Sequence, residues 1–246
     1  MYVERPPTAD LAGRLACVWH QVSEADATQL VVPDACVDLI WGPEGLFVAG
    51  PDTGPMPTPM ASGDTFVGIR FRPGAVGDFF GVPLHELRDQ RVRVSDLPPL
   101  RDQPVRLADL PSLDLPSLHV ADVAPPGRLD AMLAAVRERL AREVPADPAG
   151  AAIAGALRMG RTVGEVAWDL GFSERQLHRR SLVTFGYAPK ILQRIVRFQR
   201  ALTLARAGVP LAEVAVTAGY ADQAHLSHDV KRLSGVSMRH LVSPAG

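Results

Sequence analysis

Cysteine is scarce in this chain: Cys17 and Cys36 are the only two in 246 residues, and they do not form a CxxC pair. That count excludes a four-cysteine zinc site and suits a reducing compartment without structural disulfides. Cys17 and His20 have ligand-like spacing, and Cys36 could join them, but so short a set predicts no metal centre. Isolated histidines at 20, 85 and 119 likewise do not make the His-x-His pair of a metal-dependent cupin. No P-loop, dinucleotide fingerprint or Ser/His/Asp order is present, so no cofactor and no catalytic residue is expected. Long apolar runs are also missing. The first seven residues contain Glu4, Pro6 and Pro7 rather than a signal sequence, which predicts a cytoplasmic protein without a membrane partner.

What is present is an uneven charge. The formal net charge is −1, yet from Arg128 onward 17 basic residues face 10 acidic ones, while the preceding part has 9 against 17. The basic half is where a polyanion would sit, because Lys and Arg displace condensed counterions from DNA. A length of 246 residues suits two domains, each with its own core.

The first hundred residues change period often. β-type runs at Gln29–Val32, Val37–Trp41, Leu46–Ala49 and Phe66–Phe71 are separated by Pro and Gly clusters. Leu11–His20 fits a helix or a first strand equally well. Gly74–Phe80 and Val82–Leu87 read as two short helices. Prolines at 98, 99, 104, 111, 116, 125 and 126 then mark a connecting segment. Leu129, Met132, Leu133, Val136 and Leu140 follow with helical spacing, and this stripe must be covered either by its own domain or by a second copy.

The most specific feature lies between Thr162 and Met238, where one pattern is stated twice. Glu165, Val166, Ala167, Gly171 and Phe172 recur as Glu213, Val214, Ala215, Gly219 and Tyr220, an offset of 48 at every position. Each copy reads as a short helix, a glycine turn and a second helix. Thr162 with Glu165 and Ser173 with Gln176 are capping boxes, and Phe172 with Leu177 forms a hydrophobic staple. In the second copy Pro210 suits a first helical position and Asp222 an N-cap, one residue later after the glycine than in the first. This is helix-turn-helix geometry. A helix from Pro189 to about Ala207 joins the copies. Roughly twenty residues span about 30 Å, close to one turn of B-DNA, so two recognition helices could enter successive major grooves.

Ser173, Arg175, Leu177, Arg179, Gly186 and Pro189, then Gly219, Tyr220, Asp222, His225, Leu226, Lys231, Arg232, Leu233 and Gly235, are residues on which the chain resembles the AraC/XylS family of bacterial transcription regulators. The family usually has an aromatic where Ser181 and Val230 stand, proline at Met238 and often arginine at His228. The resemblance implies an α+β chain: a β-rich, cupin-like N-terminal domain (1–100), a Pro-rich linker with an amphipathic helix (101–144), and an all-α double helix-turn-helix domain (145–246). It also implies double-stranded DNA, a small-molecule effector, RNA polymerase and a second copy of the chain as partners. An enzyme domain tethered to a DNA-binding domain is the alternative.

Periodicity sets Leu177 inward and Arg175, His178 and Arg179 outward on the first recognition helix. Leu226 inward leaves Gln223, His225, Ser227 and His228 facing outward on the second. Arginine can pair bidentately with guanine and glutamine with adenine, whereas Lys231 and Arg232 are placed to meet phosphate. In the first domain, Val32–Trp41 and Gly68–Gly74 resemble an N-terminal domain found on some of these regulators. Trp19, Trp41, Arg70 and Arg72 are the candidate ligand-sensing residues there. Arg70 and Arg72 share one side of a strand, a helix opening at Gly74 would strengthen an anion site, and Asp34, Asp38 or Asp64 could instead neutralise the arginines.

Overall fold

The computed structural model describes residues 1–98, 125–142 and 146–243. Its first part is a six-stranded antiparallel sheet in the order β1-β2-β7-β4-β5-β8, joined by a separate two-stranded pair, β3-β6. The strands are β1 (Tyr2–Arg5), β2 (Leu15–Val22), β3 (Ala27–Val31), β4 (Val37–Gly42), β5 (Gly45–Ala49), β6 (Met56–Met60), β7 (Thr65–Phe71) and β8 (Arg91–Arg93). Leu11–His20 therefore resolves into a turn and a strand, with Leu15 buried at the strand's start.

Alternation divides each strand between two faces. Val37, Leu39 and Trp41 of β4 and Val67, Ile69 and Phe71 of β7 point into the main core. Phe71, Phe79 and Phe80 form an aromatic cluster there, with ring centroids 4.9 to 5.6 Å apart. Helix α1 (Pro125–Ala141) closes this core with Met132, Ala135 and Val136, all essentially buried, while Leu129, Leu133 and Leu140 pack at its edge. The apolar stripe is thus covered within the chain. Arg139 fastens the helix by donating to the carbonyls of Asp78 (2.8 Å) and Phe79 (3.2 Å). The proline-rich connection lies mostly outside the described residues; its last two prolines open α1.

The two short helices expected between Gly74 and Leu87 do not form. Gly74, Gly77 and Gly81 all have positive φ, so the segment turns repeatedly, and only a 3-10 turn at Leu84–Glu86 follows Pro83. No helix opens at Gly74, so no helix N-terminus offers an anion site there.

The second part is helical: α2 (Pro148–Arg158), α3 (Val163–Asp169), α4 (Glu174–Phe185), α5 (Pro189–Arg206), α6 (Leu211–Ala218), α7 (Gln223–Ser234) and α8 (Met238–Val242). Helix α5 runs through its core with Leu192, Ile195, Phe198, Ala201 and Leu202 buried. Pro210 is the N-cap of α6 rather than its first residue.

The two parts meet at backbone distance. A Cβ on Gly150 would lie 2.6 Å from the Gly74 carbonyl oxygen, so a side chain there would push the domains apart. The buried Tyr187 hydroxyl donates to the Asp52 carbonyl (2.7 Å), and the Gln199 amide donates to the Pro33 carbonyl (2.6 Å). Ala35, held at φ 65°, is buried in the core of the helical part although it belongs to the strand-rich part of the chain.

Candidate nucleic-acid interface and the cavity beside it

Both helix pairs are built as their sequence signals require. Thr162 caps α3 and Ser173 caps α4 in complete capping boxes, and Asp222 caps α7 by accepting from the His225 amide at 2.7 Å. Gly171 and Gly219 turn the chain at φ 66° and 87°. Leu177 and Leu226 are buried beneath their helices.

The opposite faces are open. Arg175, His178 and Arg179 are exposed on α4, as are Gln223, His225, Ser227, His228, Lys231 and Arg232 on α7. Three of these carry local constraints. Arg179 borders a groove formed with Gly77, Asp78, Val82 and Pro83 of the sheet part, so this candidate stands beside the other domain. His225 accepts from the Ala221 amide at Nδ1 (3.4 Å), which leaves Nε2 as the ring nitrogen able to donate outward. The Ser227 hydroxyl donates to the Gln223 carbonyl at 2.8 Å.

Neighbouring arginines serve position rather than readout. Arg180 pairs with Asp147 (2.7 Å) and lies over the Phe172 ring. Arg197 of the joining helix pairs with the buried Asp229 of α7 (2.7 Å) and covers the Tyr220 ring, while Arg194 approaches the same carboxylate at 3.7 Å. Ser181 and Val230, where the family has aromatics, are both fully buried. The Ser181 hydroxyl has no hydrogen-bond partner among the described residues.

A cavity of about 530 Å³ lies on the sheet face away from α1. Strand register lays out its floor in cross-strand rows. One row runs Cys17, Arg70, Asp38, Ala49 and Arg91; the next runs Glu4, Trp19, Gly68, Ile40 and Phe47. Gly68 is required by this layout, because a Cβ there would lie 2.0 Å from the Trp19 ring, which lies directly over it. The indole N–H donates to Asp38 at 3.1 Å. Leu30, Val31, Thr58 and Met60 of the β3-β6 pair form a wall, and Gln199, Leu202 and Arg206 of α5 supply the remaining side.

Of the four candidate ligand residues, the structure brings Trp19 and Arg70 together at this cavity and separates the other two. Trp41 is in the core on the opposite face because it alternates with Ile40. Arg72 lies beyond the end of β7, exposed, with Nε donating to the Ala12 carbonyl. Arg70 makes two-pronged contact with Asp38 (2.9 to 3.2 Å) and has Asp34 and Glu4 each at 3.6 Å, whereas Asp64 turns to the Ala61 amide. Burial opposes the Arg70 charge, but the Asp38 and Asp34 carboxylates outweigh it and hold the guanidinium protonated. Burial pushes the Asp38 carboxyl above its ordinary range, against the pull of Arg70. The anionic effector suggested by two adjacent arginines loses its basis here, since one is matched and the other is elsewhere.

Sequence reading missed Asp52 with Arg91 (2.8 Å), Gln199, Leu202, Arg206 and the interdomain Tyr187. None of these carries a local signal; each acquires its place through contacts distant in the chain.

Two exposed recognition faces, each on a capped helix braced against one joining helix, define a DNA-binding transcription regulator. Residues 166–243 match a helix-turn-helix domain family, and this C-terminal part is an AraC-type DNA-binding domain. Residues 3–93 match a domain of unknown function (DUF6597). No curated protein matches the chain. Among solved structures it is similar to ToxT from Vibrio cholerae, over 100% of this chain and 99% of that one, at 9% identity and a TM-score of 0.48. An apo ToxT variant from Vibrio cholerae strain SCE256 covers 91% of this chain and 96% of its own at 10% identity and 0.49. Wild-type ToxT from that strain bound to an unsaturated fatty acid covers 92% and 93% at 9% identity and 0.43.

Proposed function

We propose that the chain is a cytoplasmic, sequence-specific transcription regulator that grips two successive major grooves with α4 and α7 and senses a small molecule in the cavity of its sheet domain. The observation that carries this reading is that α5 serves both sites. It joins the recognition units and, through Gln199, Leu202 and Arg206, walls the cavity. A helix of 18 residues is about 27 Å long at 1.5 Å per residue, which suits grooves one helical turn apart.

A filled cavity would act on the helical domain along two routes. One is direct contact with α5. The other is the segment from Val32 to Cys36, in which Val32, Asp34 and Cys36 line the cavity while Pro33 and Ala35 engage the helical domain. Ligand energy can shift this arrangement only insofar as the ligand binds its alternative states unequally. Binding rather than turnover is supported by the cavity's ionisable groups being tied to one another, Arg70 to Asp38 and Arg91 to Asp52. The DNA-binding unit starts at Asp147 in this proposal, and α1 belongs with the sheet. RNA polymerase and a second copy remain partners that the family resemblance implies; the apolar stripe of α1, packed on its own sheet, is no longer an argument for the second copy.

Leu30→Trp adds bulk to the cavity wall at a partly buried position on β3, outside the helical core, and so mimics occupancy. A folded variant with altered affinity for a duplex selected by the wild type is the expected result. Unchanged affinity would overturn the sensing half of the proposal, and failure of the wild type to enrich any duplex would overturn the DNA half.

A further inference from the structure

The chemistry of the cavity specifies more than its presence. Its guanidinium groups on the floor are already matched: Arg91 by both oxygens of Asp52 (2.9 and 2.8 Å), and Arg70 by Asp38 at hydrogen-bond distance. An anion entering here would have to compete with a carboxylate already in place, in a partly buried setting where unpairing costs most. Around Arg70 the balance runs the other way, since three carboxylates, Asp38, Asp34 and Glu4, surround one cation.

Glu4 and Asp34 contact Arg70 only at 3.6 Å, and their side chains keep 47% and 33% of their exposure; Glu4 Oε1 also accepts from the Tyr2 hydroxyl, so Oε2 is the oxygen it has to offer. Both therefore retain acceptor capacity toward the cavity. Asp34 is oriented by accepting from the Cys36 amide at Oδ1 (2.8 Å), with Oδ2 turned toward Arg70. The aromatic walls fit the same partner. Tyr2 and Trp19 pack with ring centroids 5.8 Å apart beside Glu4, and half-buried Phe47 and Phe66 continue the apolar floor. Rings flanked by carboxylates favour a cation through both the ring quadrupole and direct charge. The volume suits a small organic molecule, within the usual range of roughly 300 to 1,000 Å³ for ligand pockets.

We propose that the cavity takes a ligand with an apolar or aromatic body and a cationic head, an ammonium or guanidinium group held between Glu4 and Asp34, in preference to an anionic ligand. This rests on the reading of the cavity as an effector site. The head meets the carboxylates left over from Arg70, and the body lies on Trp19, Ile40, Phe47 and Phe66. Among the described residues Arg206, exposed at the α5 side, is the cationic contributor from the helical domain, and it disfavours a second cationic group there.

Three probes with one carbon skeleton test this on the full chain: 4-phenylbutylamine, 4-phenylbutanol and 4-phenylbutyrate, followed by tryptophan fluorescence and melting temperature. The amine is expected to bind about tenfold more tightly than the alcohol, with the carboxylate weakest. Glu4→Gln together with Asp34→Asn should bring the amine and alcohol together, whereas Phe47→Ala should weaken both. Should the double variant fail to fold, Glu4→Gln alone, at a half-exposed position, should still narrow the gap. Tightest binding of 4-phenylbutyrate, a preference for the amine that survives the substitutions, or no binding by any probe would overturn the ligand class. In each of those cases the DNA affinity of Leu30→Trp decides separately whether the cavity is a sensor at all.

Discussion

The two helix-turn-helix units share a scaffold and differ in what braces them. Val166 and Ala167 in the first unit are buried like Val214 and Ala215 in the second. Yet α4 leans on the sheet domain, with Arg179 beside the Gly77–Pro83 turn and Arg88 donating to the Gly186 carbonyl at 3.3 Å, while α7 is tied to α5 through Asp229. Their reading faces differ as well. Arginines dominate the exposed face of α4, whereas that of α7 opens with amide, hydroxyl and imidazole groups, with Lys231 and Arg232 further along. The first unit thus presents an arginine-rich face beside the sheet domain, and the second is clamped separately.

The largest expected effect breaks the clamp of the second unit. Asp229→Ala leaves Arg197 without its partner beneath the Tyr220 ring, and removal of one member of a largely buried pair costs about 3 kcal/mol. Urea denaturation should show this loss; a change under about 1 kcal/mol would mean that α7 is held by its apolar contacts alone. Arg179→Ala comes next. It should cost about 1–3 kcal/mol on the preferred duplex and little on random DNA, whereas Arg232→Ala should weaken both alike and lower the salt slope by about 1. Equal behaviour of the two variants in gel-shift titrations would erase the division between reading and positioning.

A smaller effect tests the brace on the first unit. Tyr187→Phe deletes the hydroxyl that donates to the Asp52 carbonyl, an expected loss of about 1 kcal/mol in thermal or urea unfolding. An unchanged midpoint would show that this interdomain bond adds nothing net. The smallest readout concerns the thiols. Burial pushes Cys17 up to about 11 and Cys36 also well above its ordinary value, so both stay protonated at pH 8 in the folded chain. Alkylation should therefore be slow at pH 8, rise as pH approaches 11, and become fast at pH 8 on unfolding. Rapid native labelling at pH 8 would contradict the burial of this part of the cavity floor.

Legibility followed the range of the contacts. The helix-turn-helix units could be read because caps, turn glycines and the inward leucines act within a few residues of one another. Strands β4, β5 and β7 were legible from their apolar runs. β6 was not, because Pro57 and Pro59 speak against a strand, and only its place in a two-stranded pair tolerates them. β1 has little apolar character to announce it. The cavity depends on register across strands far apart in sequence, Trp19 over Gly68 and Asp38 opposite Arg70. Parity separated Trp41 from Asp38, but it did not say which face would be core, since both faces of this sheet are covered.

In the proposed mode of binding, α5 holds two unlike reading heads one groove apart. Selection of the full chain against random duplexes, followed by hydroxyl-radical footprinting of an enriched site, addresses it most directly. Two protected segments centred about 10 to 10.5 base pairs apart on one face of the DNA are expected, with Arg179→Ala relaxing sequence preference in only one of them. A single protected segment, or two whose preferences both survive Arg179→Ala, would contradict it.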